Sequence, residues 1–321
     1  MITSPSGMPL QPTTEPAPTD LERALGALEH AAAVAERKPS ELVVADPQAI
    51  QLLTQRDARA VRARLDRVVM GADPEAGLDA LLATHALAAL FPEVSAMVGF
   101  SDGEWRHKDV WKHTKQVVRQ AVPRLELRWG ALFHDIGKIK TRGIGPDGKV
   151  HFFGHAEVGT RMFDKLDRRM PLFVHEPSLR DTVRFLMLHH LRPNQYEDSW
   201  TDSAVRRFAR ELGEHLDELL CLARADITTK RPEKKRRGLE NISVLADRIR
   251  KLAEEDAKVP PLPSGVGDAI MKAFELKPSR LIGEIKRALE QAVADGVVPP
   301  HQESDFYVEY IRANREKFGL G

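Results

Sequence analysis

The chain's first chemically capable feature is the adjacent pair His134-Asp135, within Leu132-Phe-His-Asp-Ile-Gly-Lys138. Neighbouring side chains on a helix diverge by about 100°, but at a helix end an imidazole nitrogen and a carboxylate oxygen can reach one ion. Alone the dipeptide carries little weight. His113 precedes His134 by 21 residues on an amphipathic stretch, and Asp226 follows Asp135 by 91 residues, near the end of Leu219-Leu-Cys-Leu-Ala-Arg-Ala-Asp226. His155, in Phe-Gly-His-Ala-Glu, and the pair His189-His190 lie between them. Mixed nitrogen and oxygen donors of this kind suit Mn, Fe, Co, Ni or Zn better than Mg or Ca.

Helices must position these side chains, because strand signals are scarce. From Leu21 onward apolar residues recur at helical spacing, with Asp20 as the expected N-cap. Helices are expected over 47–56, 58–70 and 74–90, the last opened by Asp73-Pro74-Glu75 and stopped at Pro92, with His85 a half-buried packing residue. One hairpin is expected where Asp147-Gly148 turns the chain before Val150-His-Phe-Phe153; the glycines 143, 145 and 148 lack a preceding strand and a Gly-Lys-Ser/Thr, so they form a turn and not a phosphate loop. After Pro260-Pro-Leu-Pro263, helices are expected over 264–274, 279–294 and 302–317.

Composition narrows the field. The 321 residues carry 48 Lys+Arg against 47 Asp+Glu, so any nucleic-acid contact has to come from a local patch. Cys221, expected in the core, is the single cysteine, which excludes an internal disulfide and a cysteine-built zinc site and fits a reducing, cytoplasmic setting. No stretch is long and apolar enough for a membrane span. Met1 to Asp20, with five prolines, reads as a disordered tail and not as a signal peptide. Eight of the twelve histidines fall between 107 and 190, the region opened by Trp105 and His107.

These residues resemble the HD superfamily of metal-dependent phosphohydrolases, whose minimal signature of His, His-Asp and a distant Asp matches His113, His134, Asp135 and Asp226. Members with histidines where His155, His189 and His190 fall hold two metals bridged by the Asp of the pair, so the resemblance implies one or two divalent ions. Asp109, one turn before His113, could face the same cavity. A closer resemblance is to the C-terminal part of bacterial CCA-adding tRNA nucleotidyltransferases (the polyA polymerase family). It rests on Asp109-Val-Trp-Lys-His-Thr114, Leu127-Arg-Trp-Gly-Ala-Leu-Phe-His-Asp-Ile-Gly-Lys138 and Asp147-Gly-Lys-Val-His-Phe-Phe-Gly-His155. It implies an all-α fold: an HD-domain helical bundle flanked by helical neck and tail segments, with one short hairpin. The expected divisions are a tail over 1–20, a neck-like region over 21–100, an HD domain over 101–258 and a helical tail over 259–321. The nucleotidyl-transferring head of that family needs a Gly-Ser and an Asp-x-Asp, and this sequence has neither. CCA addition by this chain alone is therefore not expected.

The expected chemistry is hydrolysis of phosphate esters. The ions would lower the pKa of a water toward neutrality and shield phosphoryl oxygens, while Lys138, with Arg142 a weaker candidate, stabilises developing charge. The resemblance implies a substrate that is a nucleotide or an RNA end, in particular a 2′,3′-cyclic phosphodiesterase and phosphatase reaction, with tRNA a candidate partner. The basic run from Lys230 to Arg237, including Lys234, Lys235, Arg236 and Arg237, begins four residues after Asp226 at a helix start and is a candidate RNA-backbone contact. The competing expectation is a non-catalytic RNA-binding remnant, or a body working with a separate head subunit.

Overall fold

The computed structural model describes residues 18–100, 109–258 and 260–320. Residues 1–17 of the expected tail, and Trp105 and His107, lie outside the described residues. The fold is all-α with one two-stranded hairpin. In chain order come α1 (Pro18–Ala35), α2 (Pro47–Arg56), α3 (Ala58–Met70), α4 (Pro74–Ala83), α5 (Ala86–Leu90), α6 (Pro92–Ser95), α7 (Val110–Gln120), α8 (Leu125–Phe133) and α9 (Lys138–Thr141). The hairpin β1 (Gly143–Ile144) and β2 (Val150–His151) follows, and then α10 (His155–Arg169), α11 (Pro177–His189), α12 (Asp202–Leu212), α13 (Leu216–Asp226) and α14 (Pro232–Lys258). The chain ends with α15 (Val266–Ala273), α16 (Arg280–Ala294) and α17 (Ser304–Ala313).

Aspartates open the early helices. Asp46, Asp57 and Asp73 accept hydrogen bonds from the first-turn amides of α2, α3 and α4, satisfying donors that a helix cannot pair internally. Asp20 does not cap α1, which begins two residues earlier and keeps Asp20 in its first turn. The helix expected over 74–90 is broken: His85 takes a left-handed φ of 66°, separates α4 from α5, and is exposed. Because Ala86, Leu87, Ala89 and Leu90 are buried beyond the break, packing of that apolar turn overrides the continuous helical pattern. Cys221 is only half-buried.

The packing forms two compact units. The first runs to Gln195 and includes Asp217–Leu239; the second joins Tyr196–Leu216 to Glu240 and beyond, with the division falling inside α14. In the first unit α1 packs on α3 and α4, α7 on α8, and α8 and α10 on α11. Phe91, Trp129, Phe133, Phe163 and Phe173 form its aromatic centre, with Phe91 edge-on to both Trp129 and Phe133. Each such fully buried ring contributes roughly 1.5–3 kcal/mol. The Arg62 guanidinium lies 4.4 Å from the Phe173 ring centre and hydrogen-bonds Asp66, which also accepts from Trp129 Nε1 at 2.7 Å. α8 is buried along most of its length, and Gly130 leaves room for Leu186 of α11. This anchors the helix end from which His134 projects.

In the second unit Leu262, Ile270, Ile285, Leu289, Tyr307 and Ile311 belong to one apolar core. The Tyr307 hydroxyl is 2.9 Å from the Pro299 carbonyl and accepts from the Gln302 amide. A cavity of about 760 Å³ opens among α12, α14, α16 and the 296–301 segment of this unit. No helix among the described residues is long and apolar enough to cross a membrane.

Candidate metal centre

Helix ends carry most of the cluster. His134 follows the last residue of α8, His190 follows the last residue of α11, and Asp226 ends α13. His155 starts α10, and His113 lies in the first turns of α7. Gly137 makes the convergence possible: a Cβ there would stand 2.0 Å from the His155 carbonyl oxygen and 2.6 Å from the Gly159 nitrogen. The turn after Asp135 therefore runs directly against the backbone of α10. Gly154, with φ 70°, turns the chain from the hairpin into that helix.

The two oxygens of Asp135 divide the histidines between them. Oδ2 lies 3.2 Å from His134 Nε2, 3.3 Å from His113 Nε2 and 2.6 Å from Lys138 Nζ. Oδ1 lies 3.4 Å from His155 Nε2 and 3.9 Å from His190 Nε2. Asp226 Oδ1 completes the first side, at 3.0 Å from His113 and 3.6 Å from His134. The side chains thus form two potential ligand groups, His113-His134-Asp135 and Asp135-His155-His190, joined by Asp135.

The opposite edge of each imidazole indicates what the cluster holds. Nδ1 of His134, His155 and His190 lies 2.8, 2.8 and 2.7 Å from the carbonyl oxygens of Ala131, Phe152 and Met187. A carbonyl oxygen can only accept, so each Nδ1 carries a hydrogen, and in the neutral ring Nε2 presents a lone pair. The Nε2 atoms of His155 and His190 are 3.1 Å apart, and those of His134 and His113 are 3.4 Å apart. Lone pairs facing one another at that range in a buried site repel unless a proton or a cation lies between them. Backbone-fixed tautomers with converging Nε2 atoms and a shared carboxylate are the donor arrangement of a divalent metal site, and these residues fit one or two such ions.

Charge in the cluster follows from burial and proximity. Burial alone would raise the carboxyl of Asp135, which is 1% exposed, but the charges of His134 and Lys138 outweigh it and hold the group well below the usual carboxylate range. Asp226 is also held low: burial opposes ionisation, and hydrogen bonds from His113 and His134 prevail. Burial would depress His134 too, yet Asp135 raises it to about 10. His113 is raised in the same way by Asp135 and Asp226. His190 moves oppositely, to about 4, because burial is reinforced by the charge on His134. Without metal, protons on one side of Asp135 do part of the work a cation would do.

The nominated residues separate accordingly. His113, His134, Asp135, His155, His190 and Asp226 converge, and Lys138 reaches the centre through Asp135. His189 turns elsewhere and packs its ring 4.4 Å from Phe185. Arg142 follows α9 and is exposed. Lys234, Lys235, Arg236 and Arg237 are exposed in the first turns of α14, and Arg236 pairs with Glu233 at 3.1 Å. Asp109 accepts from the Lys112 amide as the N-cap of α7 and joins neither potential ligand group.

Two supporting residues escaped the sequence reading. Thr228 Oγ1 is 2.8 Å from His113 Nδ1, and Gln120 Nε2 donates to the Ala225 carbonyl at 2.7 Å, fixing the chain beside Asp226. Gln120 stands seven residues after His113, on the same helical face, which was an available signal. Thr228 had none.

The family model described as the HD domain matches residues 110–231. The A-adding tRNA nucleotidyltransferase of Deinococcus radiodurans is 30% identical over 256 residues, which are 78% of this chain and 57% of that protein. The CC-adding tRNA nucleotidyltransferase of Thermus thermophilus is 29% identical over 269 residues, 81% of this chain and 58% of that protein. The multifunctional CCA protein of Ectopseudomonas mendocina is 31% identical over 111 residues, 33% of this chain and 26% of that protein. The chain thus spans little more than half the length of the first two relatives.

Proposed function

From a chain that carries an HD domain and resembles tRNA nucleotidyltransferases over about four-fifths of its length, we propose a metal-dependent phosphohydrolase acting on nucleotide or RNA-end phosphates, in particular as a 2′,3′-cyclic phosphodiesterase and phosphatase. The observation that carries this reading is the set of buried imidazoles whose Nδ1 hydrogens are engaged by backbone carbonyls while their Nε2 atoms converge on Asp135. His113, His134, Asp135 and Asp226 would hold one divalent ion, and Asp135, His155 and His190 a second. Such ions supply Lewis acidity toward water and phosphoryl oxygens, and the donor set favours Mn, Fe, Co, Ni or Zn over Mg.

The chain's own groups complete the chemistry. The three carbonyls keep the imidazoles oriented without substrate, so little reorganisation is left for the reaction. Lys138 donates to Asp135 Oδ2 at 2.6 Å, keeping the carboxylate ionised and an ammonium next to where phosphoryl oxygens gain charge. Thr228 lies two residues before the basic run, so Lys234 to Arg237 begin within about 20 Å of chain from the His113 side. They suit an RNA backbone continuing from the reacting end.

The test loads metal-stripped protein with each divalent ion in turn and offers 2′,3′-cyclic, 2′-, 3′- and 5′-nucleotides. Turnover with at least one transition metal, abolished in His134→Ala and in Asp135→Asn, is the expected result. No turnover with any ion, or turnover surviving both substitutions, overturns the reading. A second reading, RNA binding without catalysis, is favoured by the exposed basic turns of α14 and predicts tRNA binding by protein that takes up no metal.

A further inference from the structure

The metal centre leaves the hairpin side chains of the first unit unexplained. Phe153 is 79% exposed, whereas Phe91, Phe133, Phe163 and Phe173 are buried. A phenyl ring in water gives up the gain its burial would bring, and Phe153 is the most exposed large apolar side chain among the described residues. The His151 ring lies nearly parallel to it, with centroids 4.2 Å apart and planes 20° apart. Gly143, across the ladder, leaves the imidazole its space: a Cβ there would come within 2.4 Å of the ring. The His151 Nδ1 is buried with no hydrogen-bond partner.

This pair of rings is tied to the centre by chain connectivity. Phe153 and His155 are two residues apart, at most about 7 Å of backbone. Phe152, between His151 and Phe153 in sequence, accepts the His155 Nδ1 hydrogen on its carbonyl and carries Lys138 Nζ 5.7 Å from its ring centre. That two-residue separation allows a planar group stacked on Phe153 to carry its attached phosphate toward Lys138 and the converging imidazoles.

We propose that Phe153, backed by His151, is the seat of the nucleobase of a nucleotide whose phosphate is bound at the His-Asp centre. The proposal rests on the phosphohydrolase reading and specifies its substrate class. Stacking on an aromatic face suits every base, so the seat separates nucleotides from base-free phosphates and not one base from another.

Calorimetric binding to Mn-loaded protein provides the test, comparing adenosine 3′-phosphate with ribose 3-phosphate on wild type, Phe153→Ala and Phe153→Trp. Wild type should bind the adenosine compound roughly 5- to 100-fold more tightly, Phe153→Ala should lose that preference, and Phe153→Trp should keep it. The side chain is exposed, so unchanged circular dichroism is expected for both variants. An unaltered preference in Phe153→Ala overturns the seat, as does a wild type that binds both compounds equally. Parallel assays with adenosine 2′,3′-cyclic phosphate separate the two readings. Turnover with no base preference removes the seat alone; a Phe153-dependent preference without turnover removes the phosphohydrolase reading and keeps the seat. Adding an RNA trinucleotide 3′-phosphate identifies the source of the base: tighter binding than the mononucleotide, still dependent on Phe153, marks an RNA end, and equal Phe153-dependent binding marks a free nucleotide.

Discussion

His134 is raised to about 10 by its carboxylate neighbours in the metal-free cluster, from an ordinary value of 6.5. The stability this proton contributes is complete below 6.5 and is lost as pH rises through about 10. A divalent ion needs the same imidazole neutral, so its stabilisation grows over the same interval. Urea unfolding between pH 6 and pH 10 should therefore show the metal-free protein weakening while the gap between metal-loaded and chelated protein widens. His134→Gln should flatten both trends. Raised pH would then shift the cluster from proton-held to metal-held, whereas acid would empty it of metal first at the imidazoles.

The elements that deliver these groups are held by backbone contacts as much as by side chains. Gly137→Ala would force a methyl carbon to within 2.0 Å of the His155 carbonyl, an atom fixed in the first turn of α10. Relief requires separating the 135–138 turn from α10, so a loss of about 1–3 kcal/mol in unfolding free energy is expected. Metal affinity should fall with it, because His155 shifts relative to Asp135; titration with a competing chelator measures that second effect. Helix boundaries were legible where a capping aspartate marks them, as at Asp46, Asp57 and Asp73. The break at His85 was not, because a left-handed non-glycine residue is set by the packing around it. The converging residues were legible through the resemblance to the HD superfamily that the His-Asp pair and its companions carry, but the choice between His189 and His190 was not. Their directions differ by about 100° on one helix, and the rotation of α11 depends on its packing against α8 and α10.

At the scale of the whole molecule, the balance of 48 basic and 47 acidic residues hides an uneven distribution. The exposed Lys234, Lys235, Arg236 and Arg237 share the start of one helix in the same unit as the metal cluster. On the proposed RNA contact, reversing these four charges should weaken tRNA binding and reduce the slope of log affinity against log salt by about 3–4. Fluorescence anisotropy across a salt series checks this, and hydrolysis of a mononucleotide should be unaffected. The resemblance to tRNA nucleotidyltransferases was legible from motifs spread along the chain, and so was the lack of a Gly-Ser and an Asp-x-Asp. The gathering of residues 196–216 with the C-terminal helices was not, since it depends on long-range packing such as Arg248 binding Asp202 and the Trp200 carbonyl.

α8, α11 and α13 present their carboxyl-terminal ends to the cluster, through His134, His190 and Asp226, while α10, through His155, and α7, through His113, present amino-terminal turns. Each carboxyl-terminal end carries about half a negative charge from its aligned peptide dipoles, added to the ionised Asp135 and Asp226. In the metal-free cluster the His134 proton and the Lys138 ammonium balance that negative charge; on the phosphohydrolase reading an arriving divalent ion would displace the His134 proton, so that cation uptake and proton release at these helix ends would be a single exchange.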